Sequence, residues 1–390
     1  MTRIDELLAE QCPDGVQYLR LGDFFSIRRG TSITKTQAIP GTVPVVAGGR
    51  KAAYFHNKSN RESDIIVIAG SGAYAGYVSW WGEPVFVSDA FSIEPANPEI
   101  QARYCYFWLL SQQQQLHDLK KGGGVPHVYP KDVARLMIPV PPLEVQIEIV
   151  RILDQFTALE VALEAELEAR RTQQEQVQKA VFADAARAGG NLMALRDVGT
   201  WYGGGTPSKS RQEFWHDGTI PWISPKDMGG SIVEATEDYI TVAAVQSSAT
   251  KLVPKEAVAL VVRSSILEHT LPVAFVPMAA ALNQDMKAVI AGNGISSRYV
   301  FHAIRAARKD LLRAARRTGG SVASLESGRL LEFEIPVPSE AEQGRIVEIL
   351  DNFDELVNDL SVGLPAVLVA RRKQHEYYRE KLLTFKELAA

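Results

Sequence analysis

The chain has 390 residues, of which 46% are hydrophobic and 23% are charged, and its formal net charge is −4 at pH 7. This composition is typical of a folded, water-soluble protein of two or three domains and excludes a disordered chain. No apolar run reaches the roughly 18–20 residues that span a bilayer, and the first residues are acidic where a signal peptide is basic and then apolar. With two isolated cysteines and no metal-binding spacing, we expect a cytoplasmic protein without disulfides, membrane contact or a metal site.

The first part of the chain is predicted to be rich in strands. "DIIVIAG" and "PVFVSDAFSIEP" are apolar runs bounded by turn residues, and an amphipathic helical stretch follows at Tyr104–Lys120. "IIVIAGSGAYAG" (Ile65–Gly76) is similar to a nucleotide-binding fingerprint, which needs a helix that opens at the glycines. Strand-like residues broken by Gly82 and Pro84 follow here instead, so we predict a strand–turn–strand without a cofactor.

A long phrase then occurs that returns later in the chain. "IPVPPLEVQIEIVRILDQF" at Ile138–Phe156 reappears as "IPVPSEAEQGRIVEILDNF" at Ile335–Phe353, 197 residues away and with 11 of its 19 residues unchanged. The same offset aligns the glycine clusters before each copy. Further strands at "AVALVVRSS" and "NQDMKAVI", and a helical stretch at Tyr299–Arg317, precede the second copy. The repeat predicts two domains built on one plan.

Each copy is predicted to begin a long helix. Proline cannot lie in a helix interior, so the first helix should start after Pro142 and run to about Val181. In the second copy "LSVGLP" should divide the helix, which we expect to end near Leu360 and to resume from about Pro365 to Leu383. The polar stretch "EARRTQQEQVQK" in the first copy is predicted to bridge solvent or to meet a partner rather than a core.

Apolar residues at steps of three and four residues predict a helix-packing seam in each copy. We also assign these positions to helix packing or subunit docking: Ile149, Ile152, Phe156, Leu159 and Leu163 in the first copy, and Ile346, Ile349, Phe353, Leu356 and Leu360 in the second.

Several phrases resemble one known family, the specificity subunit of type I restriction–modification systems. They are "CPDGVQYLRLGDF" (Cys12–Phe24), "GGTPSKSRQEFWHDGTIPWISPKDM" (Gly204–Met228), "GLPAVLVARRKQHEYYREKLL" (Gly363–Leu383) and the repeated phrase itself. The resemblance implies an α+β fold, with two similar α/β target-recognition lobes separated by long helices that form an antiparallel, coiled-coil-like spacer with pseudo-twofold symmetry. We place the lobes at 1–137 and 188–334, and the spacer segments at 138–187 and 335–390, with a break near 361–365.

The same resemblance implies a function without catalysis. Each lobe would read one half of a bipartite site on double-stranded DNA, while the helices set the spacing and dock two modification (methyltransferase) subunits. Restriction subunits, which are ATP-dependent translocases and nucleases, would join them. No cofactor is expected on this chain, and S-adenosylmethionine is expected on the methyltransferase. Two alternatives stay open: a DNA methyltransferase with fused recognition domains, although no NPPY or DPPY motif occurs, and a two-headed protein-binding scaffold.

Candidate DNA contacts are basic and small polar residues in predicted loops, which can reach phosphates and base edges. They are Arg28, Arg29, Lys35, Arg50, Lys51, Ser71, Tyr74, Lys120 and Lys121 in the first lobe, and Lys209, Arg211, Lys226, Arg263, Arg313, Arg316 and Arg317 in the second. For any single residue, a solvated surface charge is an equally good interpretation. The basic helix "AIRAARKDLLRAARR" has two interpretations as well, a phosphate-binding stripe or an amphipathic helix with its charged face in water.

Overall fold

The computed structural model describes residues 3–187, 191–317, 322–358 and 363–388. The chain divides into two compact units: unit 1 is Met1–Ala162 with Val369–Ala390, and unit 2 is Leu163–Leu368. Both boundaries fall within long helices, so each unit combines a sheet-rich lobe with parts of those helices. The four-part division made from the sequence cuts the chain at other places and stays a prediction. Among the described residues, no helix is long and apolar enough to cross a membrane.

Unit 1 holds a lobe of short helices and strands, followed by the start of a long helix. The helices are α1 (Arg3–Gln11), α2 (Leu21–Phe24), α3 (Ala102–Ser111), α4 (Gln113–Asp118), α5 (Pro130–Val133) and the long α6 (Leu143–Arg187). The strands are β1 (Gln17–Arg20), β2 (Phe25–Arg29), β3 (Val43–Val46), β4 (Tyr54–His56), β5 (Ile65–Ala69), β6 (Val78–Trp81), β7 (Phe86–Val87), β8 (Ala90–Pro95) and β9 (Met137–Val140). They form the sheets β2-β8-β5-β6, β4-β3-β7 and β1-β9.

Unit 2 repeats this plan. Its strands are β10 (Asn191–Ala194), β11 (Gly199–Gly203), β12 (Ile220–Ile223), β13 (Asp238–Ile240), β14 (Leu252–Val253), β15 (Ala257–Val261), β16 (Val273–Val276), β17 (Ala280–Leu282), β18 (Met286–Ala291) and β19 (Glu334–Val337). Its helices are α7 (Val242–Ser247), α8 (Ser297–Ala315), α9 (Ser327–Glu332) and α10 (Glu340–Asn358), and α11 (Leu364–Leu383) leads back into unit 1. The sheets are β11-β18-β15-β16, β13-β12-β17-β14 and β10-β19.

The larger sheets of the two lobes share one strand order, and the smaller sheets correspond except for the additional strand β14, which confirms the duplication predicted from the repeated phrase. The sheets β2-β8-β5-β6 and β11-β18-β15-β16 are both antiparallel and correspond to each other. In each of them one inner strand is fully buried: β5 in the first lobe and β15 in the second. Runs such as "IIVIA" and "AVALV" suit this place because β-branched and aliphatic residues fill both faces of a buried strand. The predicted strand–turn–strand after Ile65 is confirmed as well, since β5 is followed by a turn and then by β6 rather than by a helix.

A buried glutamine joins the first lobe to its long helix. The side-chain oxygen of Gln146 accepts a hydrogen bond from the backbone N–H of Gln101, at 2.9 Å. Its amide nitrogen donates to the carbonyl oxygens of Glu99 and Pro141, each at 2.8 Å. One side chain therefore satisfies three backbone groups at the point where the start of α3 meets the start of α6.

The second unit contains the same arrangement. Gln343 accepts a hydrogen bond from the backbone N–H of Ser296 at 2.9 Å and donates to the carbonyl oxygens of Gly294 and Pro338 at 3.1 and 2.9 Å. Both glutamines are almost fully buried. This glutamine lies at the same position of both copies of the repeated phrase, so the repetition preserves a hydrogen-bonded junction as well as a helix pattern.

A tyrosine supports each junction from the lobe side. The hydroxyl of Tyr104 donates to the carbonyl of Pro139 at 3.0 Å, and that of Tyr299 donates to the carbonyl of Pro336. Burial raises the pKa of both phenols, so they act as neutral donors. The extended Ile-Pro-Val-Pro segment of each copy is therefore held against the helix that ends the preceding lobe.

The long helices begin and end close to the predicted residues. The first starts directly after Pro142, as predicted, and continues to Arg187, six residues beyond the predicted end near Val181. The second copy is divided as predicted, with α10 ending at Asn358 and α11 running to Leu383. Residues 359–362 lie outside the described residues, and with them the predicted seam residue Leu360.

The predicted seam residues differ in their burial. Ile149 and Ile346 are fully buried, whereas Leu159 and Leu356 are 38% and 39% exposed. Ile152, Phe156, Leu163, Ile349 and Phe353 are partly buried. The fully buried face also includes Leu153 and Leu350, so the side of each helix that meets its own unit is rotated by about one residue from the predicted seam.

The polar end of α6 was predicted to bridge solvent or to meet a partner rather than a core, and the structure instead buries part of it within unit 2. Gln174 and Gln178 are 7% and 9% exposed, and Gln174 donates a hydrogen bond to Asp354 on α10. Glu175 forms ion pairs with Arg308 and Lys309 of α8 at 3.3 and 3.7 Å. The stretch lacked an apolar pattern because its neighbours are themselves polar, and a polar contact needs partners rather than a hydrophobic stripe.

Substitution of the buried glutamine should destabilise unit 1 specifically. Gln146→Ala leaves one backbone N–H and two carbonyl groups without their partner, at a cost of about 3 kcal/mol in the free energy of unfolding. Chemical denaturation monitored by circular dichroism measures this loss. Gln155→Ala, at an exposed position of the same helix, is the matched control and should change the free energy by less than about 0.5 kcal/mol. Equal effects of the two variants would contradict the role of this junction.

A buried histidine gives unit 2 a pH-dependent contact. The Nε2 atom of His302 is 2.7 Å from Asp351, and its Nδ1 atom is buried without a hydrogen-bond partner. Burial lowers the pKa of His302, although the carboxylates of Asp351 and Asp354 act in the opposite direction and Arg305 acts with the burial. The neutral Nε2–H tautomer fits this surrounding, because it donates to Asp351 and leaves no buried N–H group at Nδ1 without an acceptor.

Acidification should therefore weaken unit 2. Because the folded-state pKa of His302 lies below its unfolded value of about 6.5, its contribution to stability is present above that pH and is lost as the pH falls through the folded-state value. His302→Phe, which copies the residue at the matching position of the first lobe, Phe107, should reduce the loss of denaturation midpoint between about pH 7.5 and 5.5. The exposed His216→Gln is the control and should behave as the unsubstituted protein; an unchanged pH dependence in His302→Phe would refute the assignment.

Candidate nucleic-acid interface

The turn after β5 brings together several candidate DNA contacts of the first lobe. Ser71 and Lys121 both form backbone bridges with His127, so the turn lies beside the glycine-rich loop that follows α4. Lys120 donates to the carbonyl of Ala73 at 3.3 Å. The guanidinium of Arg50 lies 4.9 Å from the ring centre of Tyr74, which itself belongs to this turn. Three loops therefore contribute to one basic edge, which we call the first edge.

A cavity opens beside the first edge. It has a volume of about 370 Å³ and is lined by residues that include Arg29, Ser88, Asp89, His127 and Tyr129. The hydroxyl of Ser71, on the turn after β5, donates a hydrogen bond to the carboxylate of Asp89. The cavity therefore contains both a positively charged side chain, Arg29, and a negatively charged one, Asp89.

An ion pair stabilises the loop that lines one side of the cavity. The Nζ atom of Lys121 is 2.7 Å from Asp132, which is otherwise buried. The hydrogen bond from Lys121 lowers the pKa of Asp132, which therefore stays ionised at neutral pH. This contact uses the ammonium group of Lys121, so the side chain has a structural role in the lobe.

Three candidates of the first lobe lie outside these contacts. Arg28 points to Glu94, to which its Nε donates at 2.9 Å. Lys35 lies in an exposed turn between Thr34 and Gln37. Lys51 is exposed and follows Arg50 along the chain, which places its backbone near the first edge without a described side-chain contact.

The second lobe has a corresponding edge, which we call the second edge. Arg263 follows β15 after one residue, and its Nε donates to Asp285 at 2.5 Å. Arg263 also forms a backbone bridge with Ser324, whose carbonyl accepts a hydrogen bond from the N–H of Arg317 at 2.9 Å. Arg316 is bridged to Leu325 next to it. The structure thus brings Arg263, Arg316 and Arg317 together.

The other candidates of the second lobe lie elsewhere on it. Lys209 lines a cavity of about 510 Å³ together with Trp215 and His216. Arg211 lies 4.2 Å from the ring centre of Phe214 and pairs with Glu213 at 2.7 Å. The remaining two are exposed and have acidic neighbours: Lys226 pairs with Glu237 at 3.3 Å and Arg313 with Asp310 at 3.5 Å.

The basic helix α8 uses part of its charge for packing. Arg305 is largely buried and pairs with Asp354 of α10, and Arg308 pairs with Glu175 of α6. Neither a phosphate-binding stripe nor a fully solvated face describes these residues. Sequence reasoning missed this pairing, because the acidic partners lie on other helices.

Two aspartates were also missed by the sequence reasoning. Asp89 and Asp285 each immediately precede a central strand, β8 or β18, and each accepts a hydrogen bond at its lobe's edge. They lie 196 residues apart, in "VSDAF" and "NQDMK". An alignment of the two halves around these strands would have shown them, whereas a search for basic residues did not.

Comparison with known proteins agrees with this duplicated architecture. The family model described as "Type I restriction modification DNA specificity domain" matches the chain twice, at residues 13–170 and 191–369. The chain belongs to this family. The two matches cover both lobes and the beginning of each long helical region.

Similar proteins include specificity subunits over much of their length. The EcoR124I/EcoR124II specificity subunit of Escherichia coli is 46% identical over 290 residues, which cover 73% of this chain and 70% of that protein. The type I S subunit of M. genitalium has a similar fold, with a TM-score of 0.60, 17% identity and 95% and 96% of the two chains covered. A structure described under complex assembly and conformational transition of the type I system gives a TM-score of 0.59, 18% identity and coverages of 96% and 98%.

For a specificity-family protein, the basic edges predict a measurable salt dependence. Arg50→Gln removes an exposed cation of the first edge, so the slope of log affinity against log salt should fall by about 0.9, if that cation meets one phosphate. The slope is measured with the intact complex by fluorescence anisotropy on duplex DNA. Arg345→Gln, an exposed arginine paired with Glu342 on α10, is the control and should keep the slope. A slope unchanged by Arg50→Gln would remove Arg50 from the DNA contacts.

Proposed function

We propose that this chain is the DNA-recognition subunit of a type I restriction–modification complex and that each lobe reads one half of a bipartite DNA site. The observation that carries the proposal is the pair of lobes with one strand order and different residues at the matching edges, in a chain of the DNA specificity family. A shared framework with different edge residues suits two related but unequal reading tasks. The main alternative, a fused methyltransferase, is not favoured by this membership.

The first and second edges are the surfaces that would face DNA. Loops at one end of a sheet can follow a groove, and arginine and lysine side chains there neutralise phosphates. Arg50 at the first edge and Arg29 in the cavity beside it are exposed and are not members of any ion pair among the described residues, and at the second edge the same holds for Arg316 and Arg317. Their charge is thus available to an anionic partner.

The helices would set the spacing of the two half-sites and dock the partner subunits. Leu159, Val161 and Leu356 expose apolar side chains on these helices, a feature that marks protein-interaction surfaces when such residues are contiguous. Two modification subunits, which would bind S-adenosylmethionine, and the restriction subunits are the partners proposed. Catalysis would belong to those subunits.

Exchange of the first lobe tests the function directly. Residues 21–136 lie between β1 and β9, so replacing them with those of another family member preserves the β1–β9 pair and the packing of the C-terminal segment on Val16 and Tyr18. After co-expression with the modification subunit, mapping of methylated adenines should show one half-site changed and the other retained.

A matched control replaces the second lobe instead and should change the opposite half-site. A change of both half-sites by either exchange, or of neither, would contradict the division of reading between the lobes. Isothermal titration of S-adenosylmethionine into the isolated chain separates the alternative, because a fused methyltransferase must bind it and a recognition subunit should not.

A further inference from the structure

The aspartates that precede β8 and β18 occupy the same place in the two lobes. The backbone N–H of Gly70 donates to the carbonyl of Asp89 at 3.2 Å, and the N–H of Val262 donates to the carbonyl of Asp285 at 2.8 Å. Gly70 and Val262 are each the first residue after the buried strand, β5 or β15. The equivalence therefore rests on matching hydrogen bonds as well as on the sequence.

A third strand fixes the same geometry from the other side. The N–H of Gly30 donates to Ala90, and that of Gly204 donates to Met286, at the ends of β2 and β11. A Cβ atom on Gly204 would lie 1.6 Å from the carbonyl oxygen of Asn283, so no larger residue fits there without a shift of the backbone. The close approach of these strand ends holds each aspartate at a defined position.

The partner of the aspartate is what differs between the lobes. In the first lobe Ser71 donates one hydrogen bond to Asp89, whose carboxylate is exposed in the cavity of the first edge. In the second lobe the matching residue is Arg263, whose Nε donates to Asp285 while its side chain is 54% exposed. A carboxylate has about four acceptor sites, so Asp89 can accept further hydrogen bonds. Because Arg263 contacts Asp285 through Nε, its two terminal amino groups can donate hydrogen bonds to another partner.

These two arrangements have opposite hydrogen-bonding character. A carboxylate only accepts, and in the major groove the donors of the base edges are the exocyclic amino groups of cytosine and adenine. An arginine only donates, and its most frequent base contact is the pair of acceptors O6 and N7 of guanine. A phosphate would be repelled by Asp89, so this residue cannot serve as a backbone anchor.

We propose that Asp89 reads an exocyclic amino group in the half-site of the first lobe, and that Arg263, oriented by Asp285, reads a guanine in the half-site of the second. The inference rests on the proposed function and names the reading atoms within it. A carboxylate that faces only an acceptor in a closed interface loses its hydrogen bonds to water without replacing them. Asp89 therefore also lowers the affinity for a base that offers only an acceptor at that position. One duplicated framework would thus present an acceptor in one lobe and a donor in the other.

The first arm of the test concerns Asp89. The complex with the modification subunit is prepared with Asp89→Asn, and discrimination among all four bases is measured at each position of the mapped site by competition binding. Loss of the carboxylate should reduce discrimination by roughly tenfold to a hundredfold at one position of the first lobe's half-site, and leave the other half-site unchanged. Asp14→Asn, at an exposed residue outside the cavity, is the matched control.

The second arm concerns Arg263. Arg263→Lys keeps the positive charge but loses the planar fork, so preference for guanine should fall by a similar factor at one position of the second lobe's half-site only. Arg329→Lys, an exposed arginine paired with Glu326 at 3.1 Å, is the control. The lobe exchange described above assigns each half-site to its lobe and shows whether adenine or cytosine is read by the first.

The outcomes separate this inference from the proposed function. A second-lobe half-site made only of A·T pairs overturns the assignment of Arg263. Unchanged base preference in Asp89→Asn, or a uniform loss of affinity for every sequence, overturns that of Asp89, while a bipartite wild-type site still supports the proposed function. The absence of any bipartite site in the wild type would instead refute the proposed function. If Asp89→Asn lowers the unfolding temperature, Ser71→Ala replaces it, and weaker discrimination at the same position supports the inference whereas no change overturns it.

Discussion

The hydrogen bonds of Gln146 and Gln343 are the constraint on which the rest of each unit depends. Two prolines in each Ile-Pro-Val-Pro segment remove backbone donors and force an extended chain between a lobe and its helix. The carbonyl groups of that segment still need donors once they are buried. The glutamine amide supplies one, the hydroxyl of Tyr104 or Tyr299 supplies another, and each lobe is thereby fixed to its own helix in the same way. The sheet edge that each lobe presents is consequently defined relative to that helix.

The parts of this architecture that sequence reasoning predicted are those with local causes. Proline and glycine determine where α6 begins and where α10 and α11 are separated, and apolar runs define the buried strands β5 and β15. Partners that lie far apart in the sequence were not predictable in this way. The sequence around Gln174 does not indicate its hydrogen bond to Asp354, and the sequence around Val16 does not indicate its backbone bridge to Glu387.

The same distinction applies to the candidate DNA contacts. Selection of exposed cations found Arg50, Arg263 and Arg317, which the folded lobes place at their edges. It could not distinguish these from Arg305, which has the same side chain but lies against Asp354 in a helix interface. It also omitted Asp89, because an acid is not expected to approach DNA until its neighbours show that it lines a cavity and accepts a hydrogen bond from Ser71.

The charge distribution explains why an acidic protein can carry basic edges. Acidic residues are concentrated in the helical segments, where 138–187 has five basic and nine acidic side chains. Among these acids, Glu175 and Asp354 pair with arginines of α8, so their negative charge is neutralised inside unit 2. At the edges Arg50, Arg316 and Arg317 belong to no ion pair among the described residues, and the local potential depends on such nearby cations as well as on the net charge of the chain.

The buried framework and the exposed edges also differ in how well they tolerate substitutions. A substitution at Gln146, at Gly204 or within β5 disturbs buried hydrogen bonds or packing, and such changes are among those that cost the most stability. Ser71 and Arg263 lie on turns at the surface, where most substitutions alter the free energy of unfolding by less than about 0.5 kcal/mol. The lobes can therefore exchange an acceptor for a donor at a matched position while their folds stay the same. If the edges read DNA as proposed, a duplicated chain of this kind would acquire two different DNA preferences by changing edge residues and leaving the junctions with the helices intact.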